Sequence, residues 1–367
     1  MKFIALQSNF IKALNQVSRV VGTRTTLPVL SNVLISAEKG KIKLSATDLE
    51  VAVTVRTIGK IEEEGQLTVP ARLLTDFISN NNDESIELST PKENVLHLKS
   101  ERYEANISGI SAEEFPTVPE LPKDHFCSIK IADFADALKK VLIAPANDNT
   151  RPVLAGIYFQ FSNKILTLAA TDSYRLAEIK IDLEEELEEK KFIVPARTMA
   201  EVLRLISGSD LSENIFISST ENQIVFKIGE TAIVSRLIEG AYPNYAQIIP
   251  ANTKIKIHVD HKELLNAVKM TSFFAKNSAN NIRIKTEENS LVISSVASET
   301  GDSQSKIQAS IDGGEISIAF NARYVLDVLQ VLGDQKIRFE LNDSMSSGVI
   351  RGEKDSSFIY IVMPLNI

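Results

Sequence analysis

Four short motifs recur in the same order along this chain, and that recurrence restricts it to a fold built from repeated units. Thr26-Leu27-Pro28-Val29-Leu30 is answered by Thr150-Arg151-Pro152-Val153-Leu154, 124 residues later. At the same offset, Leu44-Ser45-Ala46-Thr47-Asp48 is answered by Leu168-Ala169-Ala170-Thr171-Asp172. Val69-Pro70-Ala71-Arg72 returns as Val194-Pro195-Ala196-Arg197 after 125 residues, and as Phe320-Asn321-Ala322-Arg323 after a further 126. Phe115-Pro116 corresponds to Tyr242-Pro243, and Ala13-Leu14, Ala137-Leu138 and Ala267-Val268 occupy equivalent places. One match would be chance; four in order at near-constant spacing mark duplication. The 367 residues are therefore three divergent copies of one unit, expected at 1–122, 123–250 and 251–367. The third copy lacks the Thr-Asp pair, and its polar Ser294–Lys306 stretch is expected to be a mobile loop.

Each copy begins with a short alternating strand, as at Lys2–Leu6, followed by a helical pattern. Phe10, Leu14, Val17 and Val21 form the apolar stripe in copy one; Phe134, Leu138 and Val141 form it in copy two. Asn9 and Asp133 stand where N-caps would be useful. Strands are predicted at Asn32–Ser36, Lys41–Ala46 and Glu50–Thr57, with Lys39-Gly40 as the turn between the first two. A second helix starts at the Val-Pro-Ala-Arg element, where proline suits the first turn. Its stripe is Leu73, Leu74, Phe77 and Ile78, then Met199, Val202, Leu203 and Ile206, then Tyr324, Val325, Val328 and Leu329. Further strands, such as Ser85–Leu88, Val95–Lys99 and Tyr103–Ser108, close the unit. The fold class is α+β, with two helices packed on mainly antiparallel sheet in each copy. Proline-rich segments, Pro116 to Pro122 and Pro243 to Pro250, read as ordered linkers between copies.

Composition narrows the function. No run of eighteen apolar residues occurs, so no membrane span is expected. The first residues lack the apolar core and cleavage site of a signal peptide. A single cysteine, Cys127, allows no intrachain disulfide and fits a reducing, cytoplasmic setting. The net charge of −8 argues against nucleic acid only if it is spread evenly; where the positive charge lies matters more than its sum.

Catalytic signatures are absent. There is no phosphate loop and no dinucleotide fingerprint. The histidines 97, 125, 258 and 261 are scattered. His258 and His261 have loose metal-like spacing, but zinc usually needs three or four convergent ligands, so no metal or other cofactor is expected. Cys127 has no neighbouring histidine and reads as a small buried residue rather than a nucleophile. Asp48 and Asp172 could be an acid/base pair or a turn device. Duplication favours the turn, because catalytic pairs need different environments. The run Glu184-Glu185-Glu186-Leu187-Glu188-Glu189 reads as a solvated loop or sheet edge.

The ordered set Thr-Leu-Pro-Val-Leu, Ala-Thr-Asp-Leu-Glu, Val-Pro-Ala-Arg and Ala-Thr-Asp-Ser-Tyr-Arg-Leu, with the terminal Tyr360-Ile361-Val362-Met363-Pro364-Leu365, resembles the bacterial DNA polymerase III beta subunit family, the sliding clamps. The resemblance covers the whole chain. It implies three domains of the DNA-clamp type and a head-to-tail homodimer, a ring of six domains around duplex DNA. Such a ring has no catalysis of its own. It tethers the replicative polymerase and other replication and repair proteins, and a clamp loader places it on DNA. An interaction scaffold of the same fold that never encircles DNA is the competing reading; an unrecognised enzyme is a third.

The resemblance also carries sites. Candidate DNA contacts are Arg24, which matches the family's loop arginine, with Lys12, Arg72, Asn149, Arg151 and Arg197. The alternative for each is a solvated surface group. The partner-peptide groove is expected from Leu154, Thr171, Tyr174, Arg175, Leu176, Pro243, Ile248, Tyr324, Ile361, Val362, Met363, Pro364 and Leu365. Its chemistry is apolar with a few polar groups, suited to short peptide anchors. Some of these residues are equally core, Leu154 and Leu176 above all. An apolar chain end, by contrast, frays unless docked. The dimer interface is expected to join Phe273 and Phe274 of copy three to Ile107 on an edge strand of copy one.

Physical size is consistent with two chains. Six helices each roughly 10 Å across would enclose a hole of only about 9 Å. Twelve enclose about 28 Å, enough for a duplex roughly 20 Å wide. The predicted helices, 9–21, 70–80, 132–144, 195–207, 260–273 and 321–331, carry a formal charge of +3, leaving −11 for the rest. A weakly positive lining suits a loose, sequence-independent hold on phosphates.

Overall fold

The computed structural model describes the chain except residues 23–26, 39, 119–123, 149, 209, 277, 298–300 and 366–367, and the side chains of residues 296 and 297. Expectations placed on Arg24, Thr26, Lys39 and Asn149, and on the linker from residue 119 to 122, lie outside the described residues.

Among the described residues there are six α-helices: α1 (Gln7–Val17), α2 (Ala71–Asn80), α3 (Ile131–Val141), α4 (Ala196–Ile206), α5 (His261–Ala275) and α6 (Ala322–Val331). Each starts on the residue after a strand ends, with no intervening turn. The expected N-caps are therefore corrected. Asn9 and Asp133 lie inside the first turn, because the helices begin at Gln7 and Ile131, two residues before the expected caps themselves. The first helix of each copy anchors its leading N–H on a backbone carbonyl instead. Gln7 donates to Glu84, Ile131 to Glu213 and His261 to Gln335, each at 2.9 Å. These bonds satisfy one of the donors that a helix start leaves open. Side-chain caps do occur at α5, where Asp260 accepts from Lys262 and Glu263, and at α6, where Asn321 accepts from Arg323.

The chain forms two compact units, and neither follows a copy boundary. The first comprises residues 1–131 with 204–237. Its five-stranded sheet runs Lys60–Glu63, Lys2–Leu6, Ser85–Lys92, Val95–Lys99, Glu104–Ser108, which leaves Glu104–Ser108 at an edge. Its eight-stranded sheet runs Cys127–Lys130, Asn214–Ser219, Gln223–Ile228, Thr231–Arg236, Val51–Thr57, Lys41–Thr47, Asn32–Glu38, Gly65–Pro70. Gly40, at φ 76°, takes the left-handed conformation that the tight turn between paired Glu38 and Lys41 requires. Phe3, Phe10, Leu14, Val17, Ile35, Leu44 and Val53 are fully buried. Each such side chain contributes about 1.5–3 kcal/mol of burial free energy. On α2, Leu74 and Ile78 are buried but Leu73 is 52% exposed, so the expected stripe is one residue narrower.

The second unit comprises residues 132–203 with 238–367. One ten-stranded sheet runs Gly156–Thr171, Arg175–Pro195, Phe358–Val362, Gly348–Gly352, Lys336–Leu341, Ile255–Asp260, Gly301–Asp312, Ser290–Ala297, Asn281–Glu287, Ser317–Asn321. The acidic run at 184–189 lies within the long strand, with Glu184, Glu185 and Glu186 exposed. Polar Ser294–Lys306 is not a loop: Ser290–Ala297 and Gly301–Asp312 pair as an antiparallel hairpin, Ser295 opposite Ser303 and Leu291 opposite Ile307. A strand whose Ser, Gln and Lys residues face solvent offers little apolar alternation, so its pairing comes from the backbone ladder. On its other side the strand Gly301–Asp312 pairs with Ile255–Asp260 only through residues 309–312, so the outer edge of 301–308 has no partner strand among the described residues.

The division into units has a simple cause. In the first unit, Val51–Val55 of copy one pairs with Thr231–Ser235 of copy two. In the second, Arg175–Ile179 of copy two pairs with Phe358–Val362 of copy three. The eight-stranded and ten-stranded sheets therefore each span two copies, and compactness follows them. No described helix is long and apolar enough to cross a membrane.

Candidate partner-binding groove

The Thr-Asp motif is a turn that closes a hairpin. Thr171 Oγ1 donates to the Arg175 carbonyl at 2.6 Å and accepts from the Ser173 N–H at 3.1 Å. Asp172 Oδ1 accepts from the N–H groups of Tyr174 and Arg175 at 2.9 and 3.0 Å. In copy one, Thr47 and Asp48 make the same bonds to Leu49, Glu50 and Val51. The residue after each aspartate takes positive φ, 79° at Ser173 and 77° at Leu49. Hydroxyl and carboxylate oxygens bonding backbone two or three residues on account for both aspartates, as the turn reading expects.

After this turn the second unit adds the end of the chain. Arg175 pairs with Val362 and Leu176 with Ile361. Met363 N–H then donates to the Tyr174 carbonyl at 2.8 Å, and Leu365 N–H to the Ala319 carbonyl at 2.8 Å. Two backbone bonds past the last strand keep this apolar end from fraying. Leu176, Val349, Ile359 and Ile361 make a buried cluster, with Tyr245 and Ile249 packed against it. Leu154, Thr171 and Val362 are buried too. Tyr174, Ile248 and Met363 remain 63%, 44% and 38% exposed, and Pro243 is exposed. The expected groove residues thus separate into a buried floor and an exposed apolar rim. The latter is the part that could receive a partner's side chains.

Arg175 is the charged member, only 7% exposed. Its Nε bonds Asp172 Oδ2 at 3.0 Å, and its Nη1 bonds Asp327 Oδ2 on α6. The guanidinium carbon stands 4.4 Å from the centroid of the Tyr324 ring. Burial pushes the Tyr360 phenol above its ordinary range, so it stays a donor, and it bonds the Tyr324 carbonyl at 3.0 Å. Nearby, Tyr158 stacks on Tyr242 at 5.0 Å with Tyr245 edge-on to both. Burial raises the Tyr245 phenol and the carboxylate of Glu178 adds to the effect.

Other expected residues sit as follows. Lys12, Arg72, Arg151 and Arg197 are all exposed. Arg72 Nε lies 3.9 Å from Asp76, while Arg151 Nη1 bonds Ser173 Oγ at 2.9 Å, leaning on the 171–175 turn. Phe273 is 53% exposed and Phe274 half-buried. Ile107 is only 3% exposed: its side chain faces its own core, so the strand Glu104–Ser108 offers an edge rather than an isoleucine. His258 bonds Glu353 and His261 bonds the Leu329 carbonyl, two separate structural contacts. A polar cavity of about 460 Å³, bordered by Gln66, Thr90, Lys92, Glu93 and Glu113, includes none of the expected site residues.

Three participants escaped the sequence reading. Asp172 was recognised only as a turn residue, yet it also holds Arg175. Asp327 had a signal: the same helix position is acidic in every copy, as Asp76, Glu201 and Asp327. Exposed Arg323 is the third copy of the Ala-Arg pair that brought Arg72 and Arg197 into consideration.

Comparison with known proteins places three family models end to end on the chain. The N-terminal, central and C-terminal domains of the DNA polymerase III beta subunit match residues 1–119, 128–244 and 246–366. The beta sliding clamp of Staphylococcus epidermidis is 28% identical, with 100% of this chain and 99% of that protein covered. Among solved structures, the Bacillus subtilis DNA polymerase sliding clamp superposes with a TM-score of 0.96 at 27% identity, covering 100% and 99% of the two chains. The DNA polymerase III subunit beta of Pseudomonas aeruginosa gives 0.95 at 30% identity, with both chains covered completely.

Proposed function

The chain belongs to the DNA polymerase III beta subunit family, and from that membership we propose how its residues do the work of a clamp. It is a DNA sliding clamp, a processivity factor with no catalysis of its own. Two copies join head to tail into a ring of six repeats, with boundaries near residues 122 and 250, around duplex DNA in the cytoplasm. A clamp loader places the ring, and the polymerase and other partners hold it through the groove at Tyr174, Arg175, Ile248, Tyr324 and Met363.

One observation carries the ring. The same strand pairing occurs twice within the chain, Val51 with Ser235 and Arg175 with Val362. The third copy has the corresponding hairpin strand with an open edge at 301–308, and the first copy has the corresponding last strand, Glu104–Ser108, at a sheet edge. Unpaired edges are liabilities unless covered. A second copy supplies each with the other, and a heterologous contact of this kind closes into a ring when its rotation allows.

Side chains support the same reading. Gln16 on α1 accepts from Thr231 at 2.7 Å, and Lys140 on α3 donates to Asp355 at 2.7 Å. Each thus reaches the next copy of the repeat. The matching position on α5 is Met270, 55% exposed and one turn from exposed Phe273. A second chain would cover both. DNA would then meet helix surfaces bearing Lys12, Arg72 and Arg197, together with Arg24, Asn149 and Arg151. These are phosphate contacts without base readout.

Topology provides the test. Loaded by a clamp loader and ATP onto nicked circular DNA, the protein stays bound in high salt and is lost once the circle is linearised. Equal loss from circular and linear DNA would falsify encirclement and leave the scaffold reading.

A further inference from the structure

The first and second units contain the same junction between copies, yet only the second buries a cation in it: Arg175 is 7% exposed, whereas Arg236 of the first is exposed. Val51 stands in copy one where Arg175 stands in copy two, each opposite the last strand of the following copy. The apolar clusters correspond as well: Ala52, Val225 and Val234 with Val118 in the first unit, Leu176, Val349 and Ile361 with Tyr245 in the second. Where the first junction presents Glu50 and Arg236, the second presents Tyr174 and Met363, joined by the same backbone bond. The acidic position on the second helix of each copy is common to all three, and at the second junction Asp327 meets an arginine of the preceding copy, Arg175.

We infer that Asp327 is a positioning residue of the groove: with Asp172 it holds the Arg175 guanidinium flat against the Tyr324 ring, fixing a wall that partner peptides pack on. This rests on the reading of the site as the partner groove. An arginine free to rotate would have to be ordered at each binding event, at a cost in side-chain entropy. Here the ordering is done in advance. Nε is tied to Asp172 at 3.0 Å, Nη1 is tied to Asp327, and the ring lies 4.4 Å away on one face. Fixation of a planar cation at two of its nitrogens, each by a different carboxylate, is what a guanidinium allows and an ammonium does not. Two carboxylates against one guanidinium also leave no net positive charge, so the wall attracts peptides by shape and apolar contact rather than by seeking an acid. Because Asp327 belongs to copy three and Arg175 to copy two, the clamp also fixes the two copies to each other beside the groove.

The test uses the full-length chain and a fluorescein-labelled peptide spanning the clamp-binding segment of the host's replicative polymerase. Asp327→Asn weakens the peptide about tenfold, with the dimer mass unchanged and the variant still folded at the assay temperature by circular dichroism, and Asp327→Glu restores most of the affinity. In an Arg175→Ala background, Asp327→Asn adds less than about twofold, since the residue acts through the arginine. The Nε–H resonance of Arg175, slowly exchanging in the parent, exchanges faster in Asp327→Asn. Parent-like peptide affinity in Asp327→Asn, or a further tenfold loss on top of Arg175→Ala, overturns the inference, provided Arg175→Ala and Met363→Ala both weaken binding. If neither of those variants weakens the peptide, the groove reading itself fails and the inference falls with it.

Discussion

Among the described non-glycine residues with positive φ, Leu49 carries the bulkiest side chain. At φ 77° and 46% exposed, it holds a left-handed conformation that costs a bulky residue of order 1–2 kcal/mol, with little burial to offset it. Leu49→Gly therefore stabilises the protein by about 1 kcal/mol in denaturant unfolding; a lower midpoint would mean that the leucine makes contacts worth more than the strain. Lys140 gives the opposite case. It is 7% exposed and bonds Asp136 at 2.8 Å and Asp355 at 2.7 Å. Burial opposes the charge on Asp355, but the lysine and the Ser357 hydroxyl and N–H outweigh it, so its carboxyl sits below the usual 3.8. A depressed carboxylate contributes stability that is present above its unfolded value and is lost as pH falls through the folded one. The pair is thus fully effective at neutral pH and weakens below about pH 4. Lys140→Ala should cost about 2 kcal/mol at pH 7 and lose much of that effect in acid; a cost that does not vary with pH would assign it to packing alone. Neither pair nor strain is legible in sequence. The Thr-Asp turn was, because its chemistry is local and occurs twice.

Elements were legible where the apolar period was strong. Strands Lys2–Leu6 and Val95–Lys99 stand where alternation predicts them. The hairpin around residues 290–312 was hidden, since its exposed face is Ser, Gln and Lys and only its backbone pairing defines it. Two elements carry tests. α5 ends in Phe273 and Phe274 with Met270 exposed one turn before. Substituting both phenylalanines with alanine yields monomers in sedimentation at micromolar concentration; persistence of the dimer would relocate the interface to the strand edges alone. The chain end is the other. Removing Met363–Ile367 deletes the exposed methionine and the bonds to Tyr174 and Ala319 but spares the strand Phe358–Val362. Polymerase-peptide binding is abolished while the dimer remains, and unchanged affinity would remove the tail from the groove.

At the scale of the molecule, charge and connectivity divide the work. A chain of net charge −8 is a poor match for DNA as a whole, but the charge is uneven, +3 on the predicted helices and −11 on the rest. The threefold repeat, the strand-to-helix rhythm of each copy and the duplicated turn are written in the order of residues. All of these arise from short-range periodicity and steric preference, which neighbouring residues encode. That the sheets run across copy boundaries, that Ile107 faces inward, and that Arg175 meets Asp327 emerge on packing. The first and last of those facts depend on pairings between residues more than 150 positions apart, such as Val51 with Ser235 and Arg175 with Val362. No local propensity specifies them: a strand edge accepts any partner whose backbone fits, and the partner is selected by the packing of the whole unit.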